Sequence, residues 1–408
     1  MIDRKREVSS WIHQHAHSVS SGITDPSREL RPLFDVLDGV EVVGIGTTTR
    51  KSHELMLQQS SIFRALVEGW GFRSLILEED YTRCVELDNA VSDDSHDIAR
   101  LLVDFRPFWS TVEMLDLVQW IQDWNTKYPE SRIRISGLNS DATGQSAYSE
   151  IGAFLEGLNT PDSRKVATLL RFLAPGPDVS DRIAELSRIS IGERRGFAAA
   201  ARDLRRIFSE LPGFCATSSL ARSLHAVVDF YEYHSRSRQE ILEYAAERMA
   251  DNVLWWKATS ELRAVYFGGI AHTSVGHARI ISHPPVAQRN TGSFLRERLG
   301  SGYLSVGLTF HHGQLDELIP APKEGFVEAL LGESLGQALL LNFTGGIPLP
   351  LAFESTMKIR SMGPDYQAAN DPDFYMTGGA PRQWFDILIH TGKVGKSTAI
   401  KSSNHRAW

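Results

Sequence analysis

Short apolar runs that end in glycine or an acidic residue recur along the first third of the chain, as they do in buried parallel strands. They are Val40–Gly46 (VEVVGIG), Ser74–Glu78 (SLILE) and Ile133–Gly137 (IRISG), followed much later by Ala264–Gly269 (AVYFGG). Tyr303–Phe310 and Phe385–His390 extend the series. Between the first three lie stretches with apolar residues at helical spacing, Glu54–Glu68 and Thr111–Asn125. Strand, helix and strand in alternation predict right-handed crossovers and a mostly parallel sheet flanked by helices.

From Ile151 to Trp256 the strand signal stops, and Ala198–Glu210 and Arg238–Trp255 carry helical periodicity, with a turn at Ala174–Asp178. The pattern predicts an α/β fold with an inserted all-helical subdomain. Its parts are residues 1–150 as the first half of the core, 151–256 as the insertion and 257–408 as the second half. Ligands of such sheets bind where strands end, so the segments after each strand carry the candidate chemistry.

Composition narrows the classes. The chain has 408 residues, 42% hydrophobic and 23% charged, which is ordinary for a globular protein. A net charge of −7 supplies no global field for nucleic acid or acidic lipid, so neither is expected as a partner. The two cysteines, Cys84 and Cys215, suggest reduced thiols. The N-terminus is polar without a signal-type apolar core, and no run nears the roughly 18 apolar residues of a membrane span. The expectation is a soluble, cytoplasmic protein.

The densest polar segment after a strand is Gly44–Glu54, GIGTTTRKSHE. It fails as a phosphate loop, because Arg50 stands where the second glycine is needed to curl the backbone around phosphate. Glu78, Glu79 and Asp80 close the second strand; alternation turns at least one of them to solvent, and Glu78 is a candidate acid or base. His272 follows the Ala264 strand in a glycine-rich loop and is a proton-transfer candidate. His311 and His312 are adjacent at a strand end, which turns them to opposite faces. No histidine or cysteine spacing supplies three metal ligands, so no metal and no cofactor are expected. No G-x-S-x-G elbow is present, which argues against a serine hydrolase. Arg106, Phe108 and Trp109 precede a helix, and the rings of Phe108 and Trp109 are candidates to line an apolar pocket.

Taken in order, these segments resemble the erythromycin esterase-like family. Gly44–Glu54 matches its G-x-G-E-x-T-H-G-x-x-E loop, Leu66–Arg73 (LVEGWGFR) its L-V-E-x-x-G-F-R, and Leu77–Asp80 (LEED) its L-E-A-D. Phe108–Leu117, Glu247–Trp255, Gly268–His272 and Thr291–Leu299 continue the likeness. The resemblance implies hydrolytic use of a glutamate and a histidine in the first loop, the histidine activating water. Here Thr47 and Arg50 stand at those positions, and Gly269 replaces the first histidine of the family's later loop. His272, Glu54 and Glu78 match retained residues. An arginine stays protonated and cannot act as that base.

The expected function is a small-molecule tailoring enzyme acting on an ester, lactone or related carbonyl compound in natural-product metabolism, by an altered mechanism. Arg50, Glu78 and His272 are its expected catalytic groups. Thr47, Thr49, His53, Glu54, Asp80, Arg106, Phe108, Trp109 and Gly269 are expected around the substrate. The alternative is a catalytically inactive binding protein that keeps the pocket.

Overall fold

A computed structural model describes residues 2–92, 97–139, 141–176, 178–280, 286–332 and 338–401. Pro177 of the Ala174–Asp178 turn and Ser140, in the segment after the third apolar run, lie outside them. The chain forms two compact units, one of residues 1–77, 87–135 and 260–408 and the other of residues 78–86 and 136–259.

In chain order the strands are β1 (His17–Val19), β2 (Val42–Thr47), β3 (Phe72–Asp80), β4 (Arg134–Asn139), β5 (Arg263–Gly269), β6 (His277–Ile280) and β7 (Val286–Arg289). After them come β8 (Tyr303–Gln314), β9 (Leu318–Ile319), β10 (Ala338–Asn342), β11 (Ile359–Arg360), β12 (Tyr375–Thr377) and β13 (Ile387–Gly395). Nine of them form one sheet in the order β1-β10-β13-β8-β2-β5-β3-β4, with β9 pairing on β8. The four apolar runs read from the sequence are thus neighbours, β2-β5-β3-β4. The pairs β13–β8, β8–β2, β2–β5 and β5–β3 are parallel. The β1–β10, β10–β13 and β8–β9 pairs are antiparallel. Every residue of β2 is buried, as a continuous apolar run at the centre of a sheet requires.

The helix His53–Trp70 follows β2. Ser52 caps it by accepting the Leu55 N–H, an interaction that contributes about 1 kcal/mol. Gly71 ends it at φ 71°, in the left-handed region where a side chain is strained. The helix Val112–Lys127 is capped in the same way by Thr111, which accepts from Met114. A second, four-stranded antiparallel sheet, β11-β12-β6-β7, has no counterpart in the sequence reading.

In the second unit, among the described residues, six helices run from Gln145–Glu156 to Arg238–Ser260. Capping boxes start two of them, Thr160 with Ser163 and Ser190 with Glu193. The apolar faces of the first five meet in a core that includes Leu173, Leu186, Leu204, Phe208, Val227 and Tyr231. Phe197 stacks between Phe172 and Tyr231, with centroids 4.8 and 5.7 Å away. Among the described residues, no helix is long and apolar enough to cross a membrane.

Candidate active site

Strand register sets the first unit's site. Thr47 of β2 pairs with Gly269 of β5 on one side and with Leu308 of β8 on the other, so the loops after β2 and β5 begin at one level. The short helix Ile270–Thr273 lies directly on β2. A Cβ on Gly46 would stand 1.9 Å from Thr273 Oγ1 and 2.8 Å from the Ile270 Cα, which only glycine avoids. The Thr273 carbonyl accepts from the Tyr303 hydroxyl at 2.6 Å and from Ser305 Oγ at 3.0 Å. The loop carrying His272 is thereby fixed from β8.

Arg50 is half-buried and its guanidinium lies over the Phe108 ring at 4.5 Å, with the Trp109 ring at 5.9 Å. Such a contact contributes about 0.5–2 kcal/mol, more as water is excluded. Trp109 is buried, and its N–H donates to the Arg106 carbonyl at 2.8 Å, closing the turn that presents both rings. A Cβ at Gly269 would stand 3.0 Å from Arg50 Nη2. The guanidinium therefore occupies the space a side chain at 269 would need. Burial first, and the Arg50 charge second, push the His272 imidazole down to about 3, so it is neutral at physiological pH. The Thr47 hydroxyl is buried without a hydrogen-bond partner. A donor left in that state costs about 1–3 kcal/mol. Thr49 Oγ1 accepts the Lys51 N–H at 3.3 Å and shapes the turn instead.

The next residues of the loop are held from afar. His53 Nδ1 lies 2.7 Å from Glu113 Oε1, and the buried Glu113 carboxylate also accepts the Thr398 N–H at 3.1 and 3.2 Å. Glu54 Oε2 accepts the Gly395 N–H at 2.7 Å. Lys51 and Lys396 each reach Asp316 at 2.7 Å. Glu54, expected near substrate, is thus engaged by the backbone at the end of β13. Glu113, Gly395 and Thr398 were not among the expected residues. Contacts spanning 285 and 341 positions leave no local signal.

In the second unit the three strand-end carboxylates depart from expectation. Glu78, Glu79 and Asp80 are all buried, at 1%, 1% and 3% exposure, because β3 runs through Asp80 with both of its faces covered there. Glu79 Oε1 accepts the Asp80 N–H at 2.8 Å and lies 3.9 Å from Arg83. Asp80 accepts from both the amide and the hydroxyl of Thr82 at 2.6 Å. Burial still raises the Asp80 pKa, against those bonds and the Arg83 charge. Arg222, fully buried, lies 4.7 Å over Tyr81 and 6.0 Å from Trp255.

The histidine pair also differs from its reading. β8 runs on to Gln314, His312 pairs with Lys393, and the His311 and His312 Nδ1 atoms meet at 3.1 Å. Alternation fixes where the Cβ atoms leave a strand, and the rings still swing together beyond it. Among the described residues, no group of three or more histidine, cysteine or acidic side chains could hold a metal ion.

Comparisons with known proteins give a family and a shared fold. The erythromycin esterase family profile matches residues 67–394. The chain belongs to the erythromycin esterase family, a family of hydrolases. Solved structures agree on the fold. A protein from Bacillus cereus superposes with a TM-score of 0.81 at 18% identity, covering 98% of this chain and 99% of its own. A succinoglycan biosynthesis protein gives 0.80 at 19%, with 98% and 100% covered. A histidine-to-asparagine mutant of the erythromycin esterase EreC, in its open conformation, gives 0.70 at 13%, with 95% and 100% covered. No curated protein sequence matches the chain.

Proposed function

We propose that the chain is a small-molecule tailoring enzyme that acts on an ester, lactone or related carbonyl compound, with Arg50 in place of a catalytic histidine. The observation that carries this reading is the seat of Arg50, on the Phe108 ring and over the bare backbone of Gly269. A guanidinium so placed is a permanent cation with a planar fork, suited to a carboxylate or to the oxyanion that develops as a carbonyl is attacked. Thr47 adds an unpartnered hydroxyl from the end of β2. His272, neutral at pH 7, serves as a hydrogen-bonding group rather than a charged one. Proton transfer is most efficient near a group's own pKa, so an imidazole held at about 3 is a poor base at neutral pH.

The reading calls for no metal, cofactor or nucleic acid, and it fits a step in natural-product metabolism. Its test is a panel of aryl esters, simple lactones and macrolides incubated with the purified protein and followed by mass spectrometry. Cleavage or formation of an ester bond in at least one of these classes is expected. Tight binding of a panel member with no turnover of any would reverse the conclusion in favour of an inactive binding protein.

A further inference from the structure

We propose that His53 and Glu113 form a general-base dyad that activates water in this protein, an inference that rests on the esterase reading above. His53 Nδ1 is 2.7 Å from Glu113 Oε1. The two side chains are unequally exposed, 45% for His53 and 3% for Glu113. A buried carboxylate thus faces one ring nitrogen of a side chain that is nearly half exposed. The carboxylate holds the proton on Nδ1, which leaves the Nε2 lone pair outward, as in the base and orienting acid of a hydrolytic triad.

The orienting carboxylate is itself fixed. Glu113 sits in the first turn of Val112–Lys127, where the helix dipole favours negative charge. The Thr398 N–H donates to both of its oxygens, at 3.1 and 3.2 Å. The strap that supplies this amide is pinned by further backbone bonds, Val112 N to Thr398 O at 2.7 Å and Ser397 N to Lys51 O at 2.8 Å. Thr398 lies past the family match, which ends at residue 394. The dyad also belongs to the same two segments as the Arg50 seat. His53 follows Arg50 by three positions, and Glu113 follows the Phe108–Trp109 turn.

The step balances as follows. His53 Nε2 takes one proton from water while the water oxygen bonds to the carbonyl carbon, and Arg50 holds the resulting oxyanion. The tetrahedral species then re-forms its carbonyl, the bond to the alkoxy oxygen breaks, and the proton on Nε2 passes to the departing alkoxide. Ester and water become acid and alcohol, Glu113 stays ionised throughout, and His53 ends as it began.

The probe is 4-nitrophenyl acetate. His53→Gln is expected to lower kcat by about 100-fold or more while KM moves less than about twofold, the range general-base catalysis contributes. His53→Gly with added imidazole should regain at least about tenfold of the loss, because a free base can enter the vacated space. A pair that only clamps two helices would show neither the selective kcat effect nor the rescue. Glu113→Gln should lower kcat by about tenfold or more; His53→Gln, at a half-exposed position, keeps the test valid if that buried substitution does not fold. Retention of half or more of the activity in His53→Gln overturns the dyad, as does absence of hydrolysis by the unaltered protein. Arg50→Lys measured alongside separates the two claims. Loss in Arg50→Lys with an active His53→Gln sinks the dyad alone, and the converse sinks the Arg50 reading alone.

Discussion

Two arginines of the first unit, Arg360 and Arg50, show how differently one fold can use the same side chain. Arg360 is fully buried. Its Nη1 donates to the His311 carbonyl at 2.7 Å, and its Nη2 to the Pro320 carbonyl at 2.7 Å and to Asp371 Oδ2 at 2.9 Å. Asp371 is buried in turn and also accepts from the Tyr366 hydroxyl at 2.7 Å. That guanidinium is surrounded by fixed acceptors and joins β11 to the segments around it. Arg50 is half-buried, rests on a ring face and lies against the bare backbone of Gly269. A structural arginine ties down several elements at once; on the function proposed above, the Phe108 face and the Gly269 backbone position Arg50 for a ligand.

The largest effect that separates them is on stability. Arg360→Met should destabilise the protein by about 3–5 kcal/mol, because it leaves a buried carboxylate uncompensated. Urea unfolding reads the loss directly, and activity per folded molecule should be unchanged. A loss below about 1 kcal/mol would mean that Asp371 is satisfied without the arginine.

A smaller effect comes through pH. The folded protein holds His272 at about 3 against an ordinary 6.5, so the unfolded chain takes up a proton that the folded one refuses. This contribution to stability is full above the unfolded value and is lost as pH falls from 6.5 toward 3, at about 1.4 kcal/mol per pH unit. His225 and His390, each pushed down to about 4 mainly by burial, act in the same direction. His272→Gln should therefore lose less stability between pH 7 and pH 5 than the unaltered protein, by about 2 kcal/mol in urea unfolding. Identical pH dependence would show that His272 titrates normally.

The central strands were legible in the sequence because each holds an apolar run closed by glycine or acid, ending at Gly46 within Val42–Thr47 and at Gly269 in Arg263–Gly269. The helical stretch was legible from its spacing. The second sheet was not, since strands such as Ile359–Arg360 and Tyr375–Thr377 are too short to carry a period. Arg50, Gly269 and His272 were candidates because they stand in loops after parallel strands, and the structure sets Arg50 beside Gly269. The partners that give those loops their shape were invisible. Glu54 is held by Gly395 and His53 by Glu113, and nothing in the local pattern around Glu54 or His53 points to either. The burial of all three carboxylates at the end of β3 was missed for a related reason: alternation says which face a side chain takes, never whether that face is covered.

The most direct measurement of the central claim is the paired activity and stability of Arg50→Lys, using whichever ester or lactone the unaltered protein turns over. Lysine keeps the charge but loses the planar fork and the stack on Phe108. If Arg50 holds the ligand's oxyanion or carboxylate, kcat/KM falls by about 100-fold or more while the urea midpoint stays nearly unchanged. If the arginine only fills the space above Gly269, the urea midpoint falls and activity per folded molecule survives, which would contradict the assignment.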